Sequence, residues 1–89
     1  PLVLSEDDIT LFPNPATVEI NIAVQFKKDY TSDLEIVDMS GRTVYKESKD
    51  YYEGSNQFKV SLTDFPTGIY FVKISDGGEK AILKKFIKN

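Results

Sequence analysis

The segment VEINIAVQF, residues 18–26, decides the fold class of this chain. Along it apolar side chains alternate with polar or small ones, so that every second residue belongs to the same face. The apolar residues are Val18, Ile20, Ile22, Val24 and Phe26. A period of two with β-branched residues on one face predicts a half-buried β-strand whose apolar face lies in the core.

Six further segments are short, apolar or alternating, and separated by turn residues. They are 8–12, 33–39, 42–48, 56–62, 69–75 and 79–88. Gly41, between the third and fourth strands, predicts a hairpin turn with positive φ. The segment 69–75 is apolar almost throughout, which favours a central strand buried on both faces. Seven short strands without helical periodicity predict an all-β sandwich.

The last segment, 79–88, fits two structures. Ile82 and Phe86, with the lysines around them, also match one turn of an amphipathic helix. The chain enters this segment directly from the turn residues 76–78, without a helix-capping residue, which favours a strand. On an edge strand, its lysines would discourage pairing with other molecules.

Two prolines, Pro13 and Pro15, follow the first predicted strand. Neither has a backbone N–H, so 12–15 is not expected inside a sheet ladder. Each ring also holds the preceding residue, Phe12 or Asn14, in an extended conformation. The segment is therefore predicted to be a stiff crossover that ends an edge strand and directs the chain into the next one.

A second turn is predicted within LTDFPTGIY, residues 62–70. Pro66 suits the first central position of a turn, and Gly68 suits its end. Tyr70 follows at the start of the next predicted strand, so its ring can fold over the corner and its hydroxyl can bond the backbone upstream. We predict this tyrosine corner as the structural role of Tyr70.

The composition excludes several classes of function. The chain has 89 residues and a net charge of −3, with no Cys and no His. It therefore lacks disulfides, thiolate chemistry, the usual general base and the commonest metal ligand. Without an excess of basic residues, a nucleic-acid partner is not expected. Pro1 in place of Met indicates that the chain is part of a longer precursor.

The residues that could carry chemistry have simpler roles. The acidic run 6–8 is expected to be solvated linker, because a calcium site needs more oxygens in a defined loop. The serines lack a partner base, and aspartates at turns suit backbone capping. Tyr30, Tyr51 and Tyr52 leave two alternatives: exposed rings that stack on a sugar, or lids over the sandwich edge. Catalysis, a cofactor, a metal and a small-molecule substrate are not expected.

Four motifs give the sequence a resemblance to a known family. They are ITLFPNPA at 9–16, LEIVDMSGRTVYK at 34–46, SLTDFPTGIYFVKI at 61–74 and ILKKFIKN at 82–89. In this order they resemble type IX secretion system C-terminal sorting domains, which close the precursors of proteins exported by Bacteroidota. Each motif alone is a weak pattern, but four in sequence make a specific match.

The resemblance implies a fold, a domain division and a set of recognition residues. The family fold is an immunoglobulin-like antiparallel sandwich of seven strands. The sorting domain would occupy 8–89, after a linker 1–7 from an upstream cargo domain. Carried over by position, the recognition residues are Pro13, Asn14, Pro15, Asp38, Gly41, Gly68, Tyr70, Lys84, Lys85, Phe86, Ile87 and Lys88.

The resemblance also implies partners and a route. The domain would direct its cargo from the periplasm through the outer-membrane translocon of that secretion system. A surface peptidase of sortase type would then cut the domain off, leaving the cargo at the cell surface or secreted. The stiff proline segment would help to present the linker.

Two further expectations stand beside this one. As a non-catalytic binding module, the sandwich would hold carbohydrate or another surface through Tyr30, Tyr51 and Tyr52. Two copies of the sandwich would form a homodimer by pairing their edge strands. An enzyme is disfavoured by the missing His and Cys.

Overall fold

Seven strands in two antiparallel sheets form the part of the chain that the computed structural model describes, residues 4–75 and 80–89. One sheet consists of β1 (Ile9–Phe12), β2 (Glu19–Phe26) and β5 (Gly54–Ser61), in the spatial order β1-β2-β5. The other consists of β3 (Tyr30–Asp38), β4 (Thr43–Tyr51), β6 (Gly68–Ser75) and β7 (Ala81–Lys88), in the order β4-β3-β6-β7. This strand order is that of an immunoglobulin-like sandwich whose fourth strand pairs with the third. The predicted fold class is confirmed.

The alternation in 18–26 places β2 in the centre of the smaller sheet. Its inward side chains, from Ile20 to Phe26, are buried as predicted. The prediction is wrong for Val18, which is 65% exposed. The ladder begins only at Glu19, so the pleat that fixes the alternation does not yet include Val18.

The core lies between the inner faces of the two sheets. Its largest fully buried side chains come from six of the seven strands and the loop after β5; they are Tyr51, Phe86, Ile9, Ile20, Ile22, Leu34, Ile36, Leu62, Ile74, Val24 and Val72. Within these strands the buried residues lie at alternate positions, as expected when two half-buried sheets face each other. No polar or charged residue of the described chain is buried in this core.

The strand predicted to be central and buried on both faces is β6. It is central, since it lies between β3 and β7. Only its inner face is buried, however, while Ile69, Phe71 and Lys73 on the outer face are partly exposed. Their partial exposure corrects the prediction, because no described element covers the outer face of the four-stranded sheet.

The last segment forms a strand, which settles the choice between strand and helix. It is β7, at the edge of the four-stranded sheet. The turn predicted at 76–78 lies outside the described residues. The β3–β4 turn takes the predicted form, with Gly41 at φ +88°.

The residues before β1 pack against the sandwich. Leu4 is buried, and a short 3-10 helix at Glu6–Asp8 follows it. The Asp8 carboxylate accepts a hydrogen bond from the Ser5 N–H at 2.9 Å and so caps this turn. In the described parts of the chain, no helix is long and apolar enough to cross a membrane.

Candidate recognition site at one end of the four-stranded sheet

Residues from all four sequence motifs meet at one end of the larger sheet. In the strand register, Asp38 of β3 lies opposite Tyr70 of β6, and Tyr70 lies opposite Phe86 of β7. Lys88 lies between Gly68 and the proline segment, with Ala16 bridging it in parallel. We call this region, formed by residues 13–16, 38–41, 66–70 and 86–89, the motif end.

The β3–β4 turn at the motif end is organised by Asp38. Its Oδ1 accepts hydrogen bonds from the Ser40 N–H at 3.0 Å, the Ser40 hydroxyl at 2.7 Å and the Arg42 N–H at 3.0 Å. The Ser40 hydroxyl bond, followed by the Arg42 N–H bond, holds the pKa of Asp38 below its ordinary value. Because the folded pKa is the lower one, the carboxylate favours folding near neutral pH. That contribution is lost as pH falls through the folded pKa.

The corner between β5 and β6 is the predicted tyrosine corner. The Tyr70 hydroxyl donates a hydrogen bond to the Pro66 carbonyl at 2.5 Å. Its ring contacts Phe65 edge-on, with centroids 5.3 Å apart, and stacks on Phe86 at 5.7 Å. The turn is closed by the Phe65 N–H, which donates to the Leu62 carbonyl at 2.9 Å. Tyr70 thus joins the corner to the last strand.

Replacing Tyr70 by Phe should remove this hydroxyl bond and keep the ring contacts. We expect Tyr70→Phe to lower the free energy of unfolding by about 0.5–1.5 kcal/mol, the net contribution of one hydrogen bond. Urea denaturation followed by fluorescence or circular dichroism measures the difference. Tyr52→Phe is the control, because Tyr52 is 63% exposed. Equal effects of the two substitutions would contradict the corner bond.

The proline segment does more than direct the chain. Of the residues 12–15 predicted to lie outside a ladder, 13–15 do so, whereas the prediction is wrong for Phe12, which ends β1 and pairs with Asn21. The bonds Phe12–Pro13 and Asn14–Pro15 are cis. The segment also contacts β7: Asn14 Oδ1 accepts a hydrogen bond from the Ile87 N–H at 3.0 Å. The Ala16 N–H donates to the Ile87 carbonyl at 2.8 Å, and the Asn89 N–H donates to the Ala16 carbonyl at 2.8 Å. The sequence alone gives no sign of this contact between residues 14–16 and 87–89.

The recognition residues predicted on β7 are divided between its two faces. Phe86 is fully buried, whereas Ile87 is 40% exposed on the outer face together with Lys85. Lys84 lies on the same face as Phe86, and its Nζ donates to the Glu6 carbonyl at 3.3 Å. The three lysines therefore form no single basic patch. On the outer face, Lys85 and Ile87 are accessible to a partner.

A shallow depression lies next to these residues. Its volume is about 320 Å³, and it is bounded by the β3–β4 turn and the residues around the tyrosine corner. Met39, at its rim, is 73% exposed. A larger depression, about 620 Å³, lies on the outer face of the smaller sheet and is lined by polar residues and Ala23 and Val24. It contains none of the four motifs' recognition residues.

The three tyrosines considered for carbohydrate binding do not form an exposed platform. The alternative in which Tyr51 is an exposed ring is wrong, because β3 and β4 are longer than predicted and pair Tyr30 with Tyr51. The Tyr51 ring is buried between Phe26, at 4.3 Å, and Phe58, at 5.5 Å. Only Tyr52 is well exposed. The structure therefore favours the alternative in which Tyr51 covers the end of the core.

The buried Tyr51 hydroxyl has no hydrogen-bond partner among the described residues. Burial raises the pKa of this phenol, so the group stays neutral. Because a buried unpaired hydroxyl costs about 1–3 kcal/mol, we expect Tyr51→Phe to leave the melting temperature unchanged or raise it. The opposite sign expected for Tyr70→Phe makes the pair a matched comparison. A clear drop in the melting temperature of Tyr51→Phe would show that the hydroxyl has a partner.

Taken together, the strand order, the tyrosine corner and the motif end define an immunoglobulin-like sandwich with its distinctive residues gathered at one end. The family described as "Secretion system C-terminal sorting domain" matches residues 10–89 of the sequence. The chain belongs to this family, whose domains are sorting signals for type IX secretion. No curated protein matches the sequence.

Proposed function

We propose that this domain directs an attached cargo protein across the outer membrane and that the export machinery recognises the motif end. The observation that carries the proposal is the meeting of all four motifs at one end of one sheet. Phe86 and Tyr70 are buried there and shape the surface from beneath. The exposed side chains there include those of Met39 and Ile87, and Lys85 lies next to Ile87 on the outer face of β7.

The remaining steps of the proposal follow from the family. The precursor would cross the periplasm, its partner would be the type IX translocon, and a sortase-like peptidase would remove the domain at the surface. The cargo would then be anchored or released. The domain itself would have no catalytic activity and no cofactor, in keeping with a chain that has neither His nor Cys.

A secretion assay tests the proposal directly. Residues 1–89 are fused to the end of a fluorescent protein that carries a periplasmic targeting signal, in a bacterium with a type IX system. We expect fluorescence outside the cells, and none outside an isogenic strain that lacks the translocon. Retention of the fusion in the periplasm of the parent strain would contradict the proposal.

The outward lysine of β7 gives a sharper prediction. Lys85→Gln should lower export of the fusion and leave the melting temperature nearly unchanged, because an exposed charge contributes little to stability. Lys84→Gln is the matched control, since its ammonium group faces Glu6 instead of the outer face. Export of Lys85→Gln at the parent level would show that the machinery does not recognise this charge.

Pairing of two copies through their edges is a further part of the proposal. β1, β4 and β5 lie at sheet edges and have unpaired backbone groups along one side. Light scattering after size-exclusion chromatography measures the mass in solution. A mass of 10.1 kDa at all concentrations tested would contradict the dimer.

A further inference from the structure

The outward backbone groups of β7, at the edge of its sheet, are hydrogen-bonded along one part of the strand and not along another. In an antiparallel edge strand, the N–H and C=O groups of every second residue point away from the sheet. The backbone of Ile87 points outward, because it bonds Asn14 and Ala16. By the same alternation the backbone of Lys85 points outward as well, and no described residue bonds it. Along this edge the outward backbone groups at 87–89 are therefore hydrogen-bonded, whereas those at 83–85 have no partner among the described residues.

Asn14 accepts a hydrogen bond from β7 through its side chain. Two residues further along the chain, Ala16 forms a parallel bridge with Lys88. The outward Ile87 N–H needs an acceptor, and it finds the side-chain Oδ1 of Asn14 at 3.0 Å. We call this bond and the two between 16 and 87–89 the Asn14 clasp. On its other side, β7 is held by the ladder with β6.

We infer that Asn14 is a positioning residue of the sorting signal: its side-chain oxygen holds residues 87–89 against Ala16, and so fixes the exposed Ile87 side chain at the motif end. This inference rests on the proposed function and specifies how the signal is presented. It also specifies the mode of contact. With the backbone of 87–89 already bonded, a partner meets the side chains of the outer face, and a strand added at this edge would first have to displace 14–16.

A pair of substitutions at position 14 tests the inference. Asn14→Ala removes the acceptor, whereas Asn14→Asp keeps an oxygen in the same place. Asn14 is exposed, so neither substitution leaves a cavity in the core. Two quantities are measured for each variant: the exchange rate of the Ile87 amide by NMR, and export of the fusion described above. The Lys85 amide is the internal reference, because it lies two residues earlier on the same edge without a described partner.

In the parent chain the Ile87 amide should exchange about tenfold more slowly than the Lys85 amide, as one hydrogen bond would produce. Asn14→Ala should lose this protection and be exported less than the parent. Asn14→Asp should keep the protection and restore export. Rescue by Asp separates positioning from a general loss of stability, which the melting temperatures check independently.

Three results would overturn the inference. One is an Ile87 amide that exchanges as fast as Lys85 in the parent chain, a result that does not depend on any variant folding. Another is Asn14→Ala that loses protection yet is exported like the parent. The third is equal impairment of export by Ala and Asp. The proposed function stands in all three cases, whereas a parent fusion that is not exported contradicts both.

Discussion

Replacing Phe86 by Ala should lower the free energy of unfolding by about 3–5 kcal/mol, the usual cost of truncating a buried aromatic side chain. Phe86 is fully buried, and its ring stacks on Tyr70 with centroids 5.7 Å apart. A domain of this size is stable by only about 5–15 kcal/mol. The variant should therefore be partly unfolded at moderate temperature. Urea denaturation and thermal melting measure the loss.

The next residue along β7 is the matched control. Ile87 is 40% exposed on the opposite face, so Ile87→Ala should change the stability far less than Phe86→Ala. Comparable losses of stability would contradict the assignment of Phe86 to the buried face of β7 and of Ile87 to the exposed face. In the secretion assay, Phe86→Ala should fail through unfolding, whereas Ile87→Ala should fail while folded. The two variants thus distinguish the buried side chain that supports the motif end, Phe86, from the exposed side chain that a partner would contact, Ile87.

The second large effect is expected in the smaller sheet. Ile22→Ala should cost about 2–5 kcal/mol, because the side chain is fully buried and lies in register between Leu11 of β1 and Phe58 of β5. Val18→Ala should cost little, since Val18 is exposed and precedes the ladder. The sequence pattern alone assigns both residues to one buried face, so this comparison tests the structure itself. Equal losses in thermal melting would show that the strand begins earlier than described.

Much of the fold could be predicted because it follows from rules that act between residues close together in the sequence. The alternation in β2 follows from the period of a pleated strand, and Ile20 to Phe26 obey it. The corner depends on Pro66 and Tyr70, which are four positions apart, so both partners of the hydrogen bond lie within one short segment of the sequence. The exclusion of Pro13 and Pro15 from the ladder requires nothing beyond their missing N–H groups. These features depend on few long-range contacts.

The features that could not be predicted depend on distant partners. The bond from Ile87 to Asn14 joins residues that are 73 positions apart, and an Asn between two prolines does not identify its donor. Tyr51 is buried because the β3–β4 ladder continues to its pairing with Tyr30. The predicted strands, 33–39 and 42–48, stop short of both tyrosines. The division of the β7 lysines between its two faces, by contrast, follows from the alternation of any strand.

The parallel bridge between Ala16 and Lys88, with the hydrogen bonds around it, has a mechanical consequence. When the two ends of the chain are pulled apart, residues 14–16 and 87–89 are drawn in opposite directions, because one segment leads to the first residue and the other to the last. Residues 14–16 and 87–89 would be dragged past each other along their common axis, so the three hydrogen bonds between them are strained together. A load transmitted through the domain during transport would therefore meet its resistance here, in shear.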